Sequence, residues 1–506
     1  MSEISCDIAE KVKKLKSFKR VAAFFINHRM RLIDHFIRFE HDNVTYLANT
    51  YFLHNVIKVF EHESLSVLDL FPVSINFGSF LRNIQTAFSL NLGRSNIRTA
   101  QKADELFTFV SLLLEQKFIV REQFNELTQL KKYRAKAQRQ VGEPRTIIIA
   151  TSMQCNLSCP GCCVFVPGKH NQIPAMMTMK VFDRQFKFFL KTISKDNTSD
   201  FVIKFYGGEP LLNIPFIERA AKKIRRYEEQ GVFGDSKVDL VLTTNGTLID
   251  EHVAQLIRNY KMIVGVSLDG VGKSNDAQRI FHGGKGTFEA IINGINLLKK
   301  YEIPYSLSWT IGPKNINMVV KDLVWIAEHL DKPPLVFNIM QGVGTKGDPF
   351  KKLSDKQFFD KMHAIYDQVK ALGMHEQRIT YYRRWAQNRA TPYHFYCLAV
   401  SSGQFVFRPD GKIGICNHTI QGGDEDHYRF PKDIEKLLKL DAYPDWKGRS
   451  PLFMKDCYQS CSYFTFCPGG CAKRALEVND EIFSTVNENC RAERFYVERG
   501  ILEAIE

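Results

Sequence analysis

The chain has 506 residues, 44% hydrophobic and 25% charged, with Lys+Arg 69 against Asp+Glu 55 and a formal net charge of +14. That length supports two or three domains with sizeable cores, and the lack of any run of about 18 apolar residues excludes a membrane-spanning helix. Residues 1–30 mix Glu3, Asp7 and Glu10 with lysines and lack a signal peptide's apolar core and cleavage site, so a cytoplasmic location is expected. The basic residues are spread along the chain rather than gathered in one tract, which argues against a nucleic-acid partner.

Residues 1–145 carry no catalytic signature and read as an α+β region. Short β-rich pieces are predicted at 44–47 and 55–60, and a helix over 106–114 with Leu106, Phe109, Val110 and Leu113 on one face. Residues 11–38 are basic and amphipathic, and a solvated helix explains them better than a membrane anchor.

From residue 146 to 345 the chain alternates β-branched runs with amphipathic stretches, the signature of βα units. Strands are predicted at 146–150, 201–206, 238–243, 263–268, 305–310 and 335–339. Phe182, Phe186, Phe189 and Ile193 share one face of a predicted helix over 181–193 and read as core rather than a cofactor box. Parallel strands joined by helices curl into a barrel or part of one, with chemistry at the strands' C-terminal ends. The fold class is therefore α/β, a partial (βα)6 TIM-like barrel.

The unusual residues stand at those ends. The first strand runs into Cys155, Cys159 and Cys162, the second into Tyr206-Gly207-Gly208-Glu209-Pro210, the third into Thr244-Asn245-Gly246 and the fourth into Ser267-Leu268-Asp269-Gly270. Each glycine-containing loop alone is an ordinary turn. Their recurrence on consecutive strands points to one site. A helical linker is expected over 346–395 and a cysteine-rich domain over 396–506.

Ten of the twelve cysteines fall into two groups. In a reducing cytosol, clustered cysteines bind metal rather than form disulfides. Cys155, Cys159 and Cys162 form C-x3-C-x2-C, and three thiolates on a [4Fe-4S] cubane leave one iron open to a substrate or cofactor. The second group is Cys397, Cys416, Cys457, Cys461, Cys467, Cys471 and Cys490, where iron–sulfur and zinc-ribbon readings both stand. Only Cys6 and Cys163 are left over.

The three-cysteine loop, the Gly-Gly-Glu-Pro loop and the two loops that follow together resemble the radical S-adenosylmethionine (radical SAM) superfamily. The resemblance implies that the amine and carboxylate of SAM chelate the open iron. Reduction then cleaves the sulfonium to a 5′-deoxyadenosyl radical, which takes hydrogen from the substrate, and a flavodoxin or ferredoxin is the implied electron donor. On this resemblance Gly207 and Gly208 let main chain approach the methionyl group, Glu209 accepts from its ammonium, and Asn245 is a further cofactor contact. Ser267 and Asp269 reach the ribose, and Arg279 fits a carboxylate contact, with a surface ion pair as its other reading. The family commonly has an aromatic residue just before the third cysteine; here Gly161 stands there, so the adenine contact falls to other groups. Cys163, just beyond, reads as a small filler.

The C-terminal cysteines resemble the SPASM domain, with three residues between Cys457 and Cys461 where the family usually has two. By that resemblance Cys397, Cys416 and Cys471 hold one auxiliary [4Fe-4S] cluster and Cys457, Cys461, Cys467 and Cys490 a second, three clusters in all. Cluster charge then offsets part of the +14. Residues 113–127 and basic 131–139 resemble the N-terminal region of SPASM peptide maturases, where a winged-helix-like unit grips a leader peptide by strand addition; a packing module is the plainer reading.

The function expected is a maturase that cross-links or otherwise alters a ribosomally made peptide. The alternative is an anaerobic sulfatase-maturing enzyme forming formylglycine. Asn417 follows Cys416 where those relatives usually carry an aspartate thought to act as base, and an amide cannot take a proton at pH 7. A zinc-stabilised scaffold protein is the reading from another class.

Overall fold

A computed structural model of the chain describes residues 16–505 apart from 26–27, 53–54, 60–64, 72–73, 88–96, 140–143, 163, 165–174, 194–198, 343–346, 389–394, 421–445 and 447. Cys6 and Cys163 lie outside the described residues. The chain divides into two compact units, one of Met1–Lys136, Trp385–His394 and Pro451–Cys467, the other of Ala137–Arg384, Phe395–Ser450 and Pro468–Glu506.

In the first unit the strands are β1 (Met30–Leu32), β2 (Phe36–His41), β3 (Val44–Asn49), β4 (Val56–Val59) and β5 (Ile119–Arg121). β2, β3 and β4 form an antiparallel meander, and β1 pairs antiparallel with β5. The β2–β3 turn, Asp42-Asn43, holds both residues at positive φ, as tight hairpin turns require. The predicted helix at 106–114 lies inside Ile97–Glu115 and buries Leu106, Val110 and Leu113.

The expected solvated helix over 11–38 is corrected. Among the described residues of 11–38 only Lys16–Phe25 is helical, and the chain then enters β1 and β2. Val21 and Phe25 are core residues, the latter stacked on Phe80 at 5.2 Å. The alternation of Phe36-Ile37-Arg38-Phe39-Glu40 is the period of a half-buried strand, and it overrides the helical spacing further upstream. Pro451–Cys467 joins this unit through Thr50, whose hydroxyl donates to the Ser462 carbonyl at 2.7 Å and whose carbonyl accepts the Thr465 hydroxyl at 2.7 Å.

In the second unit β6 (Thr146–Ser152), β7 (Phe201–Gly207), β8 (Val238–Thr244), β9 (Ile263–Ser267), β10 (Tyr305–Ile311) and β11 (Leu335–Ile339) lie parallel and adjacent in chain order. Each begins at its predicted residue. Among the described strands β11 pairs only with β10, so the sheet is open. Beyond β6 lie two strands that the sequence did not reveal: β12 (Gln404–Phe407), parallel to β6, and β13 (Ile413–Gly414), antiparallel to β12. They cover what would otherwise be an unpaired edge of a buried strand.

Helices follow the strands. In Met179–Thr192 the Thr178 side chain caps the first turn, and Phe182, Phe186 and Phe189 are buried as their spacing requires. Helices Asp355–Ala371 and Gln377–Asn388 occupy the stretch expected to be a helical linker.

Candidate functional site

The loops leaving β6 and β7 are tied to one another by main chain, and side chains bring in the loop leaving β8. Gly207 ends β7 at φ +134°, and a Cβ there would stand 2.2 Å from the Ser152 carbonyl oxygen, so only glycine permits the approach. The Gly208 N–H then donates to Ser152 O at 2.8 Å and the Glu209 N–H to Gln154 O at 2.8 Å. These two bonds fix the peptide that leads into Cys155.

Glu209 is 1% exposed. Its Oε1 accepts from the Leu211 N–H at 3.0 Å and the Thr244 hydroxyl at 2.6 Å, and its Oε2 from the Asn245 N–H at 2.8 Å. Burial pushes its carboxyl up to about 7 against the pull of these donors. The Asn245 side-chain amide donates to Asn156 Oδ1 at 2.8 Å and lies 3.9 Å from Cys155 Sγ. Asn156 in turn donates to the Thr247 hydroxyl at 2.8 Å.

The segment after Arg279 clamps the cysteine loop from the other side. The Ser158 N–H donates to Ile280 O at 2.8 Å, and His282 Nε2 lies 2.9 Å from Cys155 O. The surface ion pair weighed for Arg279 is corrected, because its partner is Asp269 inside the protein. Nε stands 2.8 Å from Asp269 Oδ2, with the two side chains 16% and 5% exposed. Asp269 Oδ1 also accepts the Thr310 N–H at 2.7 Å, so the pair is seated on β10. The guanidinium lies within electrostatic reach of Cys159 and Cys162. Ser267 ends β9 and is half-buried.

Burial pushes the Cys155 thiol up to about 12 and raises that of Cys159, which Arg279 partly offsets. Cys155 feels the charge of both other cysteines, so the three share one neighbourhood. Three soft donors on one loop beside a fixed cation fit a [4Fe-4S] cluster with one open iron, since binding replaces thiol protons with metal. Among the described residues no group of three His, Cys, Asp or Glu is set to hold a single ion, whereas a cubane takes each thiolate on a separate iron. Sequence reasoning missed Asn156, Thr247 and His282; their only signal is a place beside Cys155, beside Gly246 and three residues beyond Arg279.

Cys397, Cys416 and Cys471 also come together. Ala399, Val400, Ile415, Cys416, Trp446 and Ala472 form one apolar cluster, and Cys416 feels the charge of the other two cysteines. Cys457, Cys461 and Cys467 lie in the first unit and Cys490 in the second, on helix Asn487–Ile505.

Residues 149–326 match the family model for the Radical SAM superfamily, so this stretch is a radical SAM domain. The chain is 21% identical over 376 residues to the cysteine-type anaerobic sulfatase-maturating enzyme of Clostridium novyi, covering 70% of this chain and 94% of that protein. It is 22% identical over 390 residues to the radical SAM cyclopropyl synthase TigE of Paramaledivibacter caminithermalis, covering 72% and 76%. The solved structure of native anSMEcpe with bound AdoMet matches with a TM-score of 0.57 at 21% identity, covering 72% of this chain and 98% of that one, which shows a shared fold. Among the described residues no helix is long and apolar enough to cross a membrane.

Proposed function

We propose that the protein is a maturase that abstracts hydrogen from a ribosomally made peptide and installs a cross-link or other side-chain or Cα modification. One observation carries this reading: Cys155, Cys159 and Cys162 share a loop at the C-terminal end of the parallel sheet, and the loops after β7 and β8 are hydrogen-bonded to it. A bound [4Fe-4S] cluster with SAM on its open iron would supply reductive sulfonium cleavage and a 5′-deoxyadenosyl radical.

The chain's own residues position and compensate. Gly207 and Gly208 present main chain to the methionyl group, while Glu209 locks the β7 and β8 loops around it. Asn245 steadies the Cys155 sulfur, and Ser267 is assigned to the ribose. Asp269 holds Arg279 beside Cys159 and Cys162, where its charge favours the ligating thiolates. Two auxiliary [4Fe-4S] clusters, on Cys397, Cys416 and Cys471 and on Cys457, Cys461, Cys467 and Cys490, belong to the same reading. So does an electron donor of the flavodoxin or ferredoxin kind in the cytoplasm.

The first unit is assigned to the leader peptide. Among the described residues β5 has β1 as its one neighbour in a two-stranded sheet, and the residues after β5 line a cavity of about 610 Å³ with Asp34, His35, Tyr51 and Tyr458. A strand edge beside a cavity with aromatic walls and an exposed carboxylate suits an extended peptide. Leu127, 60% exposed, stands on its lining.

Sulfatase maturation is the second reading, favoured by the similarity to sulfatase-maturating enzymes. Against it stands Asn417, which opens the short turn Asn417–Thr419 after Cys416 and cannot serve as a base. The test gives anaerobically reconstituted protein SAM, dithionite and either a peptide encoded beside its gene or a sulfatase-derived peptide. Hydrogen loss from the first with 5′-deoxyadenosine formation supports the maturase; formylglycine in the second, and no change in the first, supports the alternative.

A further inference from the structure

Arg449 is 1% exposed within the second unit, and its guanidinium donates to four main-chain carbonyls. Nε donates to Ile482 O, Nη1 to Gly469 O and Gly470 O at 2.8 Å each, and Nη2 to Ser484 O at 2.9 Å. Two loops are thereby joined at one point. The first of them runs directly into Cys471, and its two glycines hold φ of +92° and +67°. Two successive residues at positive φ suit glycine, whose backbone loses the most conformational freedom on folding. The planar fork of an arginine, with five donors in fixed directions, holds such a turn in a way that a lysine ammonium does not.

The same residue is anchored to the chain around the other two cysteines. The Arg449 N–H donates to Trp446 O at 3.3 Å, and the Gly448 N–H donates to Val400 O at 2.9 Å, three residues beyond Cys397. Trp446 and Val400 share an apolar cluster with Cys416 and Ala472. The guanidinium stays protonated under all ordinary conditions, so it brings a fixed positive charge to this pocket. The bond from Nη1 to Gly470 O sets that charge one residue from Cys471.

We propose that Arg449 is a positioning residue for an iron–sulfur cluster held by Cys397, Cys416 and Cys471, building the turn that presents Cys471 and stabilising the cluster's more reduced state through its charge. The inference rests on reading these three cysteines as auxiliary-cluster ligands. Reduction adds one negative charge to the cluster, and a nearby fixed cation favours that state, which raises the midpoint potential. Removing the cation moves the potential to a more negative value.

The test uses the full chain, anaerobically reconstituted, carrying C155A, C159A and C162A so that the SAM-site cluster does not contribute. Redox titration followed by electron paramagnetic resonance then reads the signal that C416A abolishes. R449K keeps the charge and loses the fork, whereas R449Q loses the charge and keeps part of the donor set. With the fork gone from both variants, part of the C416A-dependent iron is expected to be lost from R449K and R449Q alike, while the cluster that remains keeps the parental midpoint in R449K and shifts to a more negative one in R449Q. Parental iron content in both variants overturns the positioning role, and an R449Q midpoint equal to the parent's, or an R449K midpoint shifted as far as that of R449Q, overturns the role of the charge. A parent without any C416A-dependent signal overturns it differently, by showing that the three cysteines hold no cluster.

Discussion

Glu209, just beyond β7, accepts the main-chain N–H of Asn245, just beyond β8, at 2.8 Å, and the Asn245 amide lies 3.9 Å from the Cys155 sulfur. A buried carboxylate therefore couples two strand ends to the cysteine loop. Oε1 accepts two of its three bonds and Oε2 one, so a further acceptor site on Oε2 stays available.

Glu209→Gln places an amide where both oxygens now accept, leaving a donor against a donor. A loss of about 1–3 kcal/mol is expected, read as a lowered unfolding midpoint. The variant also tests the titration. With the folded carboxyl raised to about 7 by burial, the folded state binds the proton more tightly than the unfolded state does. Its contribution is then fully present below the unfolded value of about 4.3 and lost as pH rises through 7, on the order of 3 kcal/mol. Apo wild type should lose stability relative to Glu209→Gln between pH 5 and 8. Parallel profiles contradict the assignment.

Gly207→Ala drives a Cβ to 2.2 Å from the Ser152 carbonyl at a φ that alanine avoids. The β6–β7 junction must open, at a cost of at least about 1–3 kcal/mol. Because the Gly208 and Glu209 N–H bonds depend on that approach, SAM affinity measured by calorimetry on cluster-loaded protein should fall more than at an exposed control glycine such as Gly283. Equal affinities would remove Gly207 from the site.

Much of this site was legible because strand ends are where a parallel sheet places its chemistry. Six apolar runs fixed the six strand starts, and the polar loops followed at once. β12 was not legible: four residues, Gln404–Phe407, make sense as a strand only once β6 offers an edge to pair with. Arg279 was half legible, since its sequence neighbours mark it as polar but only the fold buries Asp269 beside it. Helix 11–38 failed because basic residues at helical spacing continue into a stretch whose apolar residues alternate. The placement of 451–467 with the N-terminal unit rests on scattered contacts that no spacing encodes, among them those of Thr50 with Ser462 and Thr465, Arg134 with Leu452, and Tyr51 with Phe464.

Leader recognition is best tested by point substitution, because deleting residues 1–145 would strip 451–467 of the unit it packs in. Leu127→Glu changes an exposed side chain on the lining of the cavity and should leave the fold intact. Turnover of the precursor peptide should fall at least about tenfold, equivalent to roughly 1.4 kcal/mol of binding, while peptide-independent SAM cleavage is unchanged. Unaltered peptide turnover would place recognition elsewhere.

Metal content separates the auxiliary-cluster reading from a zinc module. Three cubanes require about twelve irons per chain after anaerobic reconstitution. About four irons with stoichiometric zinc would confine iron–sulfur chemistry to Cys155, Cys159 and Cys162.

The most direct test of the central claim is 5′-deoxyadenosine formation by the reconstituted C155A/C159A/C162A triple variant. Removing these thiolates leaves the SAM-site cluster without protein ligands, whatever the C-terminal cysteines hold. Wild-type protein with SAM and dithionite should release 5′-deoxyadenosine, and the triple variant none above the protein-free control. Undiminished release by the triple variant would contradict the assignment of these cysteines as the SAM-cleaving site.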